Sequence, residues 1–255
     1  MMMSEARLRE SAQGAGLPEA PAEFHEVIGS TQARALELAS EGAPEWTLVA
    51  AGHQTGGRGR LGRTWLDEAG RSLLFSVVFR PAVEPGYLGL LSLLAGGSVA
   101  TACRDIAAVP AGCKWPNDVL VRGRKVAGLL AEARVTGGRV EHAVLGVGVN
   151  LEEPPRGLPQ ATGLEGADPG DLLTAFLREF RERYRPDDES LAAGEVLTFY
   201  YGMCDTLGRE VRARTLDGRT VEGRAVHIGK EGSLIIDARS GSRVSVAFGE
   251  IEHLD

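Results

Sequence analysis

The sequence predicts an α+β fold: a mixed β-sheet domain with packed helices, followed by a small C-terminal β-barrel. Three observations predict it. Over residues 24–207, apolar runs of strand length, such as SLLFSVVF at 72–79, alternate with segments of helical spacing. Residues 85–103 carry no charge for 19 residues yet are rich in Gly, Ser and Thr, which suits a helix buried beside a sheet. After Gly208 the texture changes to short strands separated by Gly-containing turns, the pattern of a small barrel. A chain of 255 residues is long enough for one such sheet domain and a small second unit.

The elements follow in order. Residues 1–23 are polar and rich in Ala, Gly and Pro, and are expected to be a flexible leader. Residues 24–28 alternate like a strand. Ser30 is the expected N-cap of a helix that carries Ala33, Leu36, Leu38 and Ala39. Residues 46–51 read as a strand, 54–64 as a Gly/Arg loop, and 72–79 as a buried strand stopped by Pro81. The long helix runs over 87–106. Strands are expected at 112–115, 118–121 and 126–134, divided by Pro116-Asn117 and Arg122-Gly123-Arg124, and again at 139–151. A Pro/Gly-rich loop at 154–170 leads to helices at 171–184 and 189–201. The barrel strands are 210–216, 220–228, 233–237 and 243–248, with Asp217-Gly218 and Gly241 at turns.

Composition excludes several classes. The 28 basic and 35 acidic residues give a net charge of −7, so bulk charge does not draw this chain to nucleic acid, and an anion site must be local. The barrel from Gly208 is neutral and has no aromatic platform for bases. Three scattered cysteines form no C-x-x-C, which argues against a disulfide framework or structural zinc and suits the cytoplasm. No signal peptide is visible, and the small residues of the 85–103 stretch favour a buried helix over a membrane span.

Two segments carry chemistry. In Gly56-Gly57-Arg58-Gly59-Arg60-Leu61-Gly62-Arg63-Thr64-Trp65, Gly57, Gly59 and Gly62 formally match a dinucleotide fingerprint. The segment leads into a turn and a strand rather than a helix, which excludes that reading. A flexible clamp fits better: glycines permit close backbone approach, arginines offer forked donors to phosphate or carboxylate, and Trp65 offers a flat face. A solvated arginine loop would show the same composition. The second segment is Lys114-Trp115-Pro116-Asn117-Asp118, with Lys125 and Gly128 after it. Asn117 and Asp118 also suit a plain turn. Only three lysines occur among the 28 basic residues, and two of them fall here, where a compact point charge is not replaced by arginine.

Taken in this order, Gly57-Arg58-Gly59-Arg60-x-Gly62-Arg63-x-Trp65, Lys114-Trp115-Pro116-Asn117-Asp118 and Lys125-x-x-Gly128-Leu129-Leu130 resemble the signature of biotin protein ligases. Gly29-Ser30-Thr31, Gln54 and Gly146-Val147-Gly148-Val149-Asn150 support the resemblance, which spans 24–255. Gln32 stands where many members carry Asn. The resemblance implies a catalytic domain at 24–207 of the class II aminoacyl-tRNA-synthetase-like biotin ligase type and an SH3-like barrel at 208–255. It implies an enzyme that activates biotin with ATP as biotinyl-5′-AMP and transfers it to a lysine of a biotin carboxyl carrier domain of acetyl-CoA carboxylase or a related carboxylase. Magnesium is expected with ATP, with no dedicated metal site. The biotin-binding residues implied are Ser30, Thr31, Gln32, Gln54, Arg58, Gly59, Arg60 and Lys125. The adenylate would meet Arg58, Arg60, Arg63, Trp65, Asn117, Lys125 and Asn150. Lys125, Arg60 and Asp118 would act in catalysis, Asp118 as base for the incoming lysine. The leader is too short for a helix-turn-helix domain, so the monofunctional type is expected, with no nucleic-acid or membrane partner; monomer and homodimer both stay open. The rivals are a lipoate or octanoate ligase or transferase of the same fold, and, from another class, a nucleic-acid-binding module.

Overall fold

The computed structural model describes residues 2–155, 157–215, 218–247 and 249–254. Of the stretches named above, Met1 of the expected leader, Arg156 of the expected 154–170 loop, Leu216, Asp217 and Phe248 of the expected barrel strands and turn, and Asp255 lie outside them.

The expected leader is not loose. Helix α1 (Glu5–Gly14) is N-capped by Ser4, whose hydroxyl accepts from the Arg7 amide, and it buries Leu8 and Ala12. Ser11 Oγ donates to the Gly170 carbonyl at 3.0 Å, and Arg7 pairs with Asp168. The apolar residues at i and i+4 are the signal that composition hid.

Next come β1 (Ala22–His25), α2 (Thr31–Ser40), β2 (Leu48–Ala51), β3 (Ser72–Phe79), α3 (Gly89–Ala107), β4 (Ala111–Lys114), β5 (Asp118–Val121), β6 (Arg124–Thr136) and β7 (Arg139–Asn150). One sheet of order β1-β2-β3-β7-β6-β5-β4 results, parallel at β1–β2 and antiparallel elsewhere. Both faces of its centre are covered, which is why 72–79 reads as a nearly unbroken apolar run. Val49, Val78 and Val144 meet Ala35 and Ala39 of α2 on one face, while Leu48, Ala50, Val77 and Phe79 face the larger core on the other. That core takes helix α3, which carries no charge before Arg104, as expected of 85–103, and α4 (Pro169–Arg183), which is N-capped by Asp168. Phe180 of α4 stacks on Phe79 of β3 with centroids 5.0 Å apart.

Helix α5 (Ala193–Tyr201) starts later than expected, because Leu191 and Ala192 adopt φ of 52° and 49°, outside helical geometry. All three cysteines are free thiols, and burial pushes Cys103 up to about 12.

The C-terminal unit corrects the barrel. Strands β8 (Glu210–Thr215), β9 (Thr220–Ile228), β10 (Leu234–Ala238), β11 (Arg243–Val246) and β12 (Gly249–His253) form an antiparallel sheet of order β11-β10-β9-β8-β12. Among the described residues β11 and β12 do not pair, so the sheet stays open rather than closing. Trp115 anchors the unit: its Nε1 donates to the Gly232 carbonyl at 2.9 Å, and its backbone N–H to Thr206 Oγ1 at 2.9 Å.

Candidate active site

The site begins with missing side chains. Gly128 of β6 lies in register with Gly148 of β7, and Gly146 lies opposite Leu130. This leaves bare backbone as the floor of a cavity of about 200 Å³. The Trp65 indole lies against that floor: a Cβ on Gly148 would sit 2.6 Å from Trp65 Cε2, and one on Gly128 2.9 Å from Cζ3. The buried Trp65 Nε1 has no hydrogen-bond partner among the described residues.

At one end stands the N-terminus of α2. Ser30 caps it, and Gln54 Oε1 accepts from the Thr31 amide at 2.8 Å and from Thr31 Oγ1 at 3.2 Å. Ser76 Oγ of β3 donates to Thr31 Oγ1 at 3.0 Å, and Gln32 Nε2 donates to Glu132 at 3.0 Å. These amides and hydroxyls can hold a neutral polar ring system.

The β4–β5–β6 strands supply charge. A register shift between Val119 and Leu120 aligns Asp118 with Gly128, and Lys125 Nζ reaches Asp118 Oδ1 at 2.7 Å and lies 5.7 Å from the Trp65 ring centroid. Asn117 is fixed to Leu129 in both directions, its side-chain Nδ2 donating to the Leu129 carbonyl at 2.9 Å and its own carbonyl accepting from the Leu129 amide at 2.9 Å. Burial pulls the Lys114 ammonium below the ordinary lysine range, with Asp118 partly offsetting that and Lys125 adding to it.

The Gly/Arg loop closes the cavity. It is pinched at its neck by the Trp65 amide donating to the Gly57 carbonyl at 3.0 Å, and turned by the Gly59 amide donating to Arg63 at 2.8 Å. Its arginines reach three different anchors. Arg58 pairs with Glu132 at 2.8 Å, and Arg63 pairs with Glu250 of β12 at 2.5 Å. Arg60 donates to Asn117 Oδ1 at 3.0 Å and to the Gly249 carbonyl at 3.4 Å. Burial lowers the Arg60 pKa, and the charges of Asp118 and Glu250 work against that.

The named residues therefore converge, with one exception. Asn150 lies outside the cavity lining, and its Nδ2 donates to the Thr162 carbonyl at 3.1 Å, tying down the loop after β7. Sequence reasoning missed Glu132, Ser76 and the β12 residues Gly249, Glu250 and Ile251. A distant strand edge leaves no local motif, whereas Glu132 follows Gly128-Leu129-Leu130 closely enough to have been inspected. No cluster of three His, Cys, Asp or Glu suited to a metal occurs among the described residues.

The biotin/lipoate A/B protein ligase family model matches residues 24–150, and the biotin protein ligase C terminal domain model matches 206–254. The biotin--[acetyl-CoA-carboxylase] ligase of Mycobacterium tuberculosis is 36% identical over 266 residues, covering 99% of this chain and 96% of that one. The chain belongs to the biotin protein ligase family. Another relative, the bifunctional ligase/repressor BirA of Bacillus subtilis, is 34% identical over 228 residues, covering 86% of this chain and 70% of that one. Among solved structures, the biotin protein ligase from Aquifex aeolicus in complex with biotin and ATP matches with a TM-score of 0.74 and 27% identity, over 91% of this chain and 99% of that one. The cavity thus lies within a family member whose two recognisable segments, loop and hairpin, meet over one glycine floor.

Proposed function

We propose that this protein is an ATP-dependent biotin ligase. It activates biotin as biotinyl-5′-AMP and transfers the biotinyl group to a lysine of a biotin carboxyl carrier domain of acetyl-CoA carboxylase or a related carboxylase. The observation that carries this reading is the convergence of Lys125, Asp118 and Arg60 with the Thr31–Gln54 pair in one cavity. Residues 24–207 form the catalytic unit in this reading and 208–255 the C-terminal unit, and free thiols suit the cytoplasm.

Ser30, Thr31, Gln32 and Gln54 take the fused rings of biotin, leaving the carboxylate to extend toward β6. Lys125, with Arg58 and Arg60 drawn in from the loop, neutralises the carboxylate and α-phosphate as they approach. Two anions must be brought together, so positioning and fixed positive charge do most of the catalysis. Trp65 stacks on adenine and Asn117 meets its edge, while Asn150 acts by holding the loop after β7. Arg63 pairs with phosphate when it leaves Glu250. In the second half-reaction the acceptor amine attacks the acyl carbon and AMP departs. A free lysine has a pKa of about 10.4, so roughly one amine in 10³ is neutral at pH 7. Asp118 orients that amine and takes its proton. Magnesium, expected with ATP, would partly neutralise the phosphates and so ease the approach of the carboxylate.

ATP–pyrophosphate exchange with biotin or lipoate as the acid tests the reading. Exchange that depends on biotin supports it; exchange with lipoate and none with biotin would transfer the protein to the lipoate branch of the fold.

A further inference from the structure

Two flanks of chain carry the Gly/Arg loop. Residues 52–57 enter it and residues 65–70 leave it, running side by side in opposite directions. Backbone bonds stitch both ends of this neck: the Trp65 amide donates to the Gly57 carbonyl at 3.0 Å, and the Gly70 amide to the Gly52 carbonyl at 3.0 Å. Between the stitches lies Asp67. Its Oδ2 accepts from His53 Nδ1 at 2.8 Å and from the Gln54 amide at 3.4 Å. Neither His53 nor Asp67 lines the cavity, whereas Gln54 and Trp65 both do.

The Asp67 side chain is 0% exposed, and its Oδ1 has no hydrogen-bond partner among the described residues. A buried polar group with an unsatisfied atom costs free energy, and an apolar side chain would fill the same space without that cost. What the carboxyl supplies instead is direction: one oxygen ties two groups of the entering flank to the leaving flank. The entering flank is held on its other side by α2 and the turn before it. The Ile28 amide donates to the His53 carbonyl at 3.1 Å, the Thr55 amide donates to the Ile28 carbonyl at 2.9 Å, and Gln54 Oε1 accepts from the Thr31 amide at 2.8 Å. Gln54 is therefore fixed between α2 and Asp67. Trp65 stands two residues before Asp67, with its indole against Gly128 and Gly148. With glycines at 56, 57, 59 and 62 the loop has little stiffness of its own, so its neck decides where Arg58, Arg60 and Arg63 can reach.

We propose that Asp67 is a positioning residue: it fastens the neck of the Gly/Arg loop behind the cavity, and so sets Gln54 for the biotin rings and Trp65 for adenine. The two ligands rest on the ligase reading above; the fastening does not. Asp67 acts on binding of both substrates and not on the chemistry, because Lys125 and Asp118 stand on β6 and β5, away from this neck.

The test uses the purified full chain and the variants D67N, D67L and H53A. Asn keeps the shape and the accepting oxygen, and Leu keeps only the bulk. Two quantities are read: the biotin and ATP concentrations for half-maximal ATP–pyrophosphate exchange, and the rate of tryptic cleavage after Arg58, Arg60 and Arg63 without substrates. D67L should raise both half-maximal concentrations about tenfold while its rate at saturation stays within about twofold of wild type, the pattern of lost binding rather than lost chemistry. Its loop should be cleaved about threefold faster or more. D67N should return both readouts close to wild type, and H53A, which removes one of the two bonds, should move both in the same direction as D67L by a smaller factor. Circular dichroism shows whether each variant folds, and should D67L not fold, H53A against wild type decides. Unchanged half-maximal concentrations in D67L overturn the assignment, as do a D67N no better than D67L, a saturated rate that falls while those concentrations stay fixed, or an H53A indistinguishable from wild type. A wild-type protein without biotin-dependent exchange overturns the ligase reading instead; the cleavage rates then decide the fastening alone, and equal rates in D67L and wild type overturn it.

Discussion

Lys125 Nζ lies 2.7 Å from Asp118 Oδ1, so residues assigned to different half-reactions form one ion pair beside Gly128. The pair sets Lys125 near its working position before substrate enters, which lowers the cost of ordering a flexible side chain. Lys125→Ala should reduce adenylate formation by about 10²–10³, the cost of removing a donor aimed at developing charge. Lys125→Arg should recover little, because a planar fork does not reproduce a compact ammonium beside Asp118. Single-turnover formation of biotinyl-AMP from biotin and ATP measures both, and a normal rate in Lys125→Ala contradicts the role.

Asp118→Asn keeps the turn and its size but loses the carboxylate. The acceptor amine then has no base, and transfer from preformed biotinyl-AMP should slow by about 10²–10⁴, the range of general-base effects. Adenylation should fall less, since Lys125 loses only its anchor. Full-speed transfer in this variant removes Asp118 from the chemistry.

The arginine loop should change its exposure when substrates bind. The Arg58 and Arg63 side chains are 44% and 69% exposed and are held by surface carboxylates, contacts of low net worth. A bound acyl-phosphate offers stronger partners. Biotin with ATP should slow tryptic cleavage after Arg58 and Arg63 by about tenfold, equivalent to about 1.4 kcal/mol of added protection. Mass analysis of the fragments reads the sites, and identical cleavage with and without substrates rules out closure of this loop.

Gly148→Ala tests the floor. The new Cβ meets Trp65 Cε2 at 2.6 Å, so the indole must shift. A loss of about 1–3 kcal/mol in urea unfolding is expected, as for other overpacked sites, together with slower adenylation. Unchanged stability and activity would show that the ring does not need this bare backbone.

The fold was legible where local pattern and burial agree. Residues 72–79 read correctly because burial on two faces leaves the run apolar. Ser30 read correctly as an N-cap because capping needs only neighbouring residues. Helix α1 did not, because Leu8 and Ala12 gain their meaning from α4, far along the chain. Strand β12 was missed for a similar reason: Gly249–His253 is short and polar, and among the described residues its ladder partner is β8. The same division holds in the site. Loop and hairpin motifs are contiguous and could be read, whereas the Arg63–Glu250 and Arg58–Glu132 pairs exist only once the chain has folded.

Mass spectrometry of a purified biotin-acceptor domain, incubated with this protein, biotin and ATP, tests the central claim most directly. The account predicts a gain of one biotinyl group on one lysine of the acceptor, dependent on both biotin and ATP and absent with Lys125→Ala. An acceptor of unchanged mass in the presence of active protein, biotin and ATP would contradict it.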